Sequence, residues 1–191
     1  MSERLLLALD RLMATLTEHG STVSRYLLPG IGADEVRARL APLGLDPPPD
    51  LIALFAWHNG YSEVTARGEE IGPGFRLPTL DEACETYGEI REWLDVAVQC
   101  GELEHAKWFP VLVSRLVLMD CCPDSLGFGG VMGYDAPIPI PEYKPASLAE
   151  PLERWIGYIE KGVWGRNVVG NWVDYHQNVT LEFERRQGGL P

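Results

Sequence analysis

The sequence predicts a mixed α+β fold in one domain. Apolar residues recur at helical spacing in five stretches, two helix-start signatures stand before apolar runs, and three short apolar runs separated by turn residues follow one another between residues 108 and 135. At 191 residues and 46% hydrophobic, the chain is long enough to bury a sizeable core without a disulfide or metal to hold it.

Leu5, Leu9, Leu12 and Leu16 fall on one face of the first helix, with Ser2 before them as a candidate N-cap and Gly20 as the stop. Ser21 to Arg25 is polar and reads as a hinge, which makes residues 1–26 an N-terminal appendage. A short helix over Ala33–Leu40 turns Val36 and Leu40 inward and ends at Gly44. Prolines 47 to 49 pre-set the first turn of the next helix, with Leu51, Leu54, Phe55 and His58 on one face and Asn59-Gly60 as its end. Tyr61 to Val64 reads as the start of a strand, and Arg67 to Phe75, rich in glycine, as a loop.

Thr79-Leu80-Asp81-Glu82 fits the capping box, in which the threonine hydroxyl accepts from the third helical amide and the glutamate reaches back to the cap amide. The helix it opens buries Ala83, Tyr87, Ile90, Leu94 and Ala97. On its opposite side Asp81, Glu85, Glu89, Glu92 and Asp95 lie within about one third of a turn of each other, with only Arg91 and Lys107 nearby. A solvated helix face is the ordinary reading of such a stripe, and a partner-facing surface is the alternative.

Trp108–Val113, Leu116–Cys121 and Val131–Asp135 read as antiparallel strands, with the turn chemistry of Pro123–Gly127 and Gly129-Gly130 joining the last two. A second capping box, Ser147-Leu148-Ala149-Glu150, starts a helix with Leu148, Leu152, Trp155, Ile156 and Ile159 inward and Gly162 at its end. Residues 163–191 form a C-terminal extension holding Trp164, Trp172 and an alternating Val179, Leu181, Phe183 that fits an edge strand, with a loose end from Gln187.

Sixteen lysines and arginines against 28 aspartates and glutamates give a net charge of −12, which argues against nucleic acid as a partner and would draw in a basic one. No apolar run reaches the ~18 residues of a membrane span, and Ser2-Glu3-Arg4 leads into an amphipathic pattern rather than a secretory leader, so a cytoplasmic protein is expected. Cys84, Cys100, Cys121 and Cys122 form no C-x-x-C and read as reduced, structural thiols.

Motifs of chemistry are missing. There is no phosphate-binding G-x-x-x-x-G-K, no H-E-x-x-H and no G-x-S-x-G; histidines 19, 58, 105 and 176 stand singly, with His58 reading as a core residue. Asp120 with Asp135 at two strand ends is a weak hint of acid/base work. No catalytic residue, metal or cofactor is expected.

One resemblance is carried by Leu28-Pro29-Gly30, Gly32, the short helix after it, Leu43-Gly44-Leu45 and Asp50-Leu51, and above all by Leu54-Phe55-Ala56-Trp57-His58-Asn59-Gly60. Trp108 leading into a strand, the strand ending at Asp120, the glycine-rich turn and the closing helix follow in order. Over residues 27–162 the chain resembles the SUKH superfamily of fungal cell-wall regulators of the Smi and Knr type and bacterial immunity proteins. The resemblance implies helices packed around a twisted antiparallel sheet, with Gly32, Trp57, Asn59, Gly60 and Trp108 as structural signature residues. It also implies a non-enzymatic antidote that binds a cognate toxin, often a nuclease; an adaptor or regulator in cell-wall assembly or signalling is the alternative. The expected contact surface is acidic: Asp81, Glu85, Glu89 and Glu92, with Asp120, Asp124 and Asp135 beside the sheet. A homodimer through the first helix stays open.

Overall fold

The structure is a computed structural model and describes residues 2–61, 69–134, 147–167 and 170–174. Its helices are α1 (Ser2–Glu18), α2 (Ala33–Leu40), α3 (Pro49–Trp57), α4 (Leu80–Gln99) and α5 (Ala149–Glu160), with short 3-10 turns at Val23–Arg25 and Ala41–Leu43. The strands are β1 (Phe75–Arg76), β2 (Trp108–Ser114), β3 (Leu116–Asp120), β4 (Val131–Tyr134), β5 (Trp164–Arg166) and β6 (Trp172–Asp174). The α+β class is as the sequence predicts: one antiparallel sheet runs in the order β1-β2-β3-β4, and β5 and β6 form a separate hairpin.

Local chemistry explains most boundaries. Thr79 Oγ1 accepts from the Glu82 amide (3.1 Å) while Glu82 Oε2 accepts from the Thr79 amide (2.9 Å), so the first capping box forms in full. Pro110 has no N–H to give to a ladder and sits at a register shift in β2, between Pro110 and Leu112. The tight β2–β3 turn places Ser114 at φ 74°, in the left-handed region.

Four expectations are corrected. The leading helix is no appendage: Leu5, Leu9, Leu12 and Leu16 are fully buried in the same hydrophobic cluster as the sheet, and α1 packs on α5 and α3. The polar stretch after it is pinned rather than hinged, because Ser21 is buried and its hydroxyl donates to Glu69 (2.9 Å). The second capping box does not form, since α5 begins at Ala149 and the buried Ser147 Oγ has no hydrogen-bond partner among the described residues. Ser147 lies before the helix, so its hydroxyl misses the amides it was expected to cap.

The fourth concerns the glycine-rich loop and the tail. Phe75–Arg76 pairs with Val113 and Ser114 as a short strand, and Trp164 and Trp172 are buried in the core rather than trailing from it. Phe75 stacks on Trp155 (ring centroids 4.3 Å), and Trp164 lies 5.2 Å from Tyr158 and 5.8 Å from Trp155. Phe75 thus closes one aromatic cluster with Trp155, Tyr158 and Trp164 from far along the chain, whose burial offsets the ordering of a short strand. Tyr61 carries no strand, and the rest of the expected strand over 61–64, the alternating Val179, Leu181, Phe183 and the end from Gln187 lie outside the described residues.

A candidate acidic docking surface

Helix α4 sits with Ala83, Tyr87, Leu94 and Ala97 buried against β2 and Ile90 half-buried. That seating points Asp81, Glu85, Glu89, Glu92 and Asp95 to solvent, all exposed, as the helical period requires. Residues 81–104 hold eight carboxylates against one arginine, Arg91, so this segment carries more than half of the chain's net charge of −12. Arg91 lies over the Tyr87 ring (5.7 Å to its centre), which turns the one cation of the helix toward an aromatic face.

Relief of the stripe comes from an unexpected element. Arg39, at the end of α2, pairs with Asp81. Among the described residues no ion pair reaches Glu85, Glu89, Glu92 or Asp95. Val96, 48% exposed, stands one turn after Glu92 within the same acidic face.

Asp120 does not belong to this surface. It is fully buried: its Oδ1 accepts from the Cys122 amide (2.8 Å) and lies 3.3 Å from His105 Nε2, while Oδ2 has no hydrogen-bond partner among the described residues. The Lys107 amide donates to His105 Nδ1 (3.2 Å), which puts the neutral ring's proton on Nε2, aimed at Asp120. Both ring nitrogens are therefore committed, and the ring stacks on Trp108 (5.6 Å, 16°). Strand end and loop are tied together by a carboxylate that was expected on the acidic contact surface beside the sheet. Asp124 is exposed in the β3–β4 turn, and Asp135 lies outside the described residues, which leaves the acid/base pairing of Asp120 with Asp135 without a described partner.

The signature residues act on the backbone. Asn59 Oδ1 accepts from the Leu80 amide (2.8 Å), so a side chain 21 positions upstream caps the acidic helix alongside Thr79. Gly60, at φ 60°, packs so closely that a Cβ there would stand 2.1 Å from the Pro78 carbonyl oxygen. Gly32 caps α2 in ordinary extended geometry with open space around it; the glycine that the packing demands is Gly30, where a Cβ would stand 1.9 Å from the Ala56 carbonyl oxygen. Trp57 donates from Nε1 to Asp10 (2.8 Å), joining α3 to α1. His58 follows the helix in an extended conformation, half-buried, and its Nδ1 meets the Leu28 carbonyl (2.9 Å), so it is a loop tie and not a residue of the helix's core face.

All four cysteines are free. Burial, with Asp120 and Asp46 nearby, pushes the Cys121 thiol far up, and burial raises that of Cys84; both behave as small apolar groups. Cys100 is exposed just past α4.

No group of three histidine, cysteine, aspartate or glutamate side chains among the described residues is arranged to hold a metal ion, and none of the described helices is long and apolar enough to cross a membrane. Among known proteins, no family model matches this chain and no curated protein does.

Proposed function

We propose that this chain is a protein-binding module of the SUKH type, an immunity protein that occludes a basic toxin through the outer face of α4. The observation that carries the reading is the state of that face: Glu85, Glu89, Glu92 and Asp95 project to solvent with no ion pair from the described residues, on a helix capped twice, by Thr79 and Asn59. A solvated face would ordinarily interleave the two signs of charge, since carboxylates one turn apart repel by a few tenths of a kcal/mol per pair.

Such a face raises the encounter rate with a cationic protein and disfavours acidic ones. A nuclease must present cations to hold phosphate, so an acidic antidote can mimic its substrate. The order of elements from the 28–32 loop through α5, and the backbone roles of Gly30, Asn59 and Gly60, support the family reading alongside the charge.

The test is co-expression with the product of the gene adjacent to its own. A complex that co-purifies, together with rescue of cells from that product, supports an antidote. Lack of both transfers the reading to a non-enzymatic adaptor.

A further inference from the structure

The turn between β3 and β4 is built to hold one apolar side chain in water. Leu126 at its tip is fully exposed (107%), against 65% for Leu7, the next most exposed large hydrophobic residue among the described residues. Single exposed leucines are common on protein surfaces, so exposure alone decides nothing. The backbone beneath Leu126 does distinguish it.

Ser125 N–H donates to the Cys122 carbonyl (3.0 Å), Gly127 N–H to Ser125 Oγ (3.0 Å), Phe128 N–H to the Ser125 carbonyl (3.3 Å) and Gly130 N–H to the Gly127 carbonyl (2.7 Å). Asp120 closes the base from both ends: its Oδ1 takes the Cys122 amide, its carbonyl takes the Gly129 amide (2.9 Å) and its own amide donates to the Gly130 carbonyl (2.9 Å). A leucine on a slack loop folds back onto the nearest apolar surface; one on a turn tied at both ends stays out, at little further ordering cost on association.

We infer that Leu126 is the apolar anchor of a second contact on the same partner, seated in an apolar socket rimmed by cations. This rests on the proposed function and deepens it. Charge argues for that occupant: Asp124 is exposed two residues away, Asp46 is exposed with its amide on the Cys121 carbonyl, and Glu102 and Glu104 are exposed on the loop that joins α4 to the turn's base through His105 and Asp120. A second copy would bring carboxylates of the same sign against this rim, which disfavours self-association here. Asp120 then acts as a positioning residue from inside the fold.

The experiment is binding kinetics on the immobilised product of the adjacent gene, comparing wild type, Leu126→Ser, Leu126→Met and the triple variant Glu85→Lys, Glu89→Lys, Glu92→Lys. Leu126→Ser should dissociate about ten- to a hundredfold faster, the span expected for one buried leucine side chain, with association within about twofold and an unchanged melting temperature; Leu126→Met should recover most of the loss. The triple variant should change association instead. Wild-type binding with Leu126→Ser dissociating at the same rate overturns the anchor and leaves the proposed function standing. No binding by wild type overturns both.

Discussion

Helices α1 and α4 are both amphipathic, each with a buried stripe at helical spacing, yet their outer faces meet opposite fates. Three of the outer charges of α1 are taken up inside the molecule: Arg4 holds Glu153 (2.7 Å), with Glu150 at 3.9 Å, Arg11 holds Glu160 (2.7 Å), and Asp10 receives the Trp57 indole N–H; Glu3 and Glu18, near its two ends, are exposed. On α4 only the first-turn carboxylates are so engaged, Asp81 by Arg39 and Glu82 by Arg76 (3.0 Å), and those beyond them face outward. A charge on a helix face becomes structural when a neighbouring element brings the opposite sign to it, and α5 does this for α1. Nothing among the described residues does it for Glu85, Glu89, Glu92 or Asp95, so that field is free to act on another molecule.

The contrast breaks first at its buried sides. Leu12→Ala in α1 should cost about 2–5 kcal/mol, because Leu12 is fully buried and the cavity adds to the lost transfer energy; Val96→Ala in α4, on the exposed side, should change stability by less than ~0.5 kcal/mol. Denaturant midpoints at constant slope would decide it, and a near-neutral Leu12→Ala would return α1 to the status of an appendage.

Glu69 is the half-buried counterpart of α1's ion pairs and should come next. It accepts from Ser21 and Thr22 and from both terminal nitrogens of Arg166 (3.0 and 2.9 Å), fastening the β5–β6 hairpin to the stretch that follows α1. Burial alone would raise its carboxyl, but the Arg166 and hydroxyl hydrogen bonds outweigh that and hold it below the usual carboxylate range. A folded-state value below the unfolded one gives stability that is present at neutral pH and lost as the pH falls through the folded value. Glu69→Gln should therefore be about 2 kcal/mol less stable than wild type at pH 7, with the gap closing below about pH 4. A gap independent of pH would locate the effect in packing.

The two helix starts sharpen the comparison at a smaller scale. Thr79→Ala should cost about 1 kcal/mol, whereas Ser147→Ala should be neutral or slightly stabilising, since its hydroxyl is buried without a partner among the described residues. Equal costs would mean that the Ser147 box forms in solution. Smallest in stability, but marked in association, is the triple lysine variant of α4: unfolding free energy within ~0.5 kcal/mol of wild type, and association with the basic partner about tenfold slower at low salt with a flatter salt dependence. Unchanged kinetics would remove α4 from the contact surface.

Much of this architecture is legible along the chain because it depends on near neighbours. The leucine stripe of α1, the Thr79 box, the glycine stops at Gly44 and Gly162 and the three long strands arise from spacings of one to four residues, and they fold where those spacings put them. Ser147 shows the limit: the same pattern as Thr79 stands before α5, but the helix begins two residues later and the cap is lost. β1 was hidden because two residues carry no period, and its existence depends on Val113 and Ser114 lying alongside.

At the candidate site the division is the same. The acidic stripe follows from a period of 3.6 residues, and the sequence by itself determined that five carboxylates share one face of α4. Tertiary structure alone decided that Arg39 neutralises Asp81, that Asn59 caps the helix from 21 residues away, that Asp120 is buried on a histidine and not displayed, and that Leu126 is held out on a closed turn. Sequence spacing governs which residues share a face because the peptide geometry repeats locally; which face meets an opposite charge, a cap or water depends on elements brought together by core packing, whose driving force acts on buried area and is indifferent to separation along the chain.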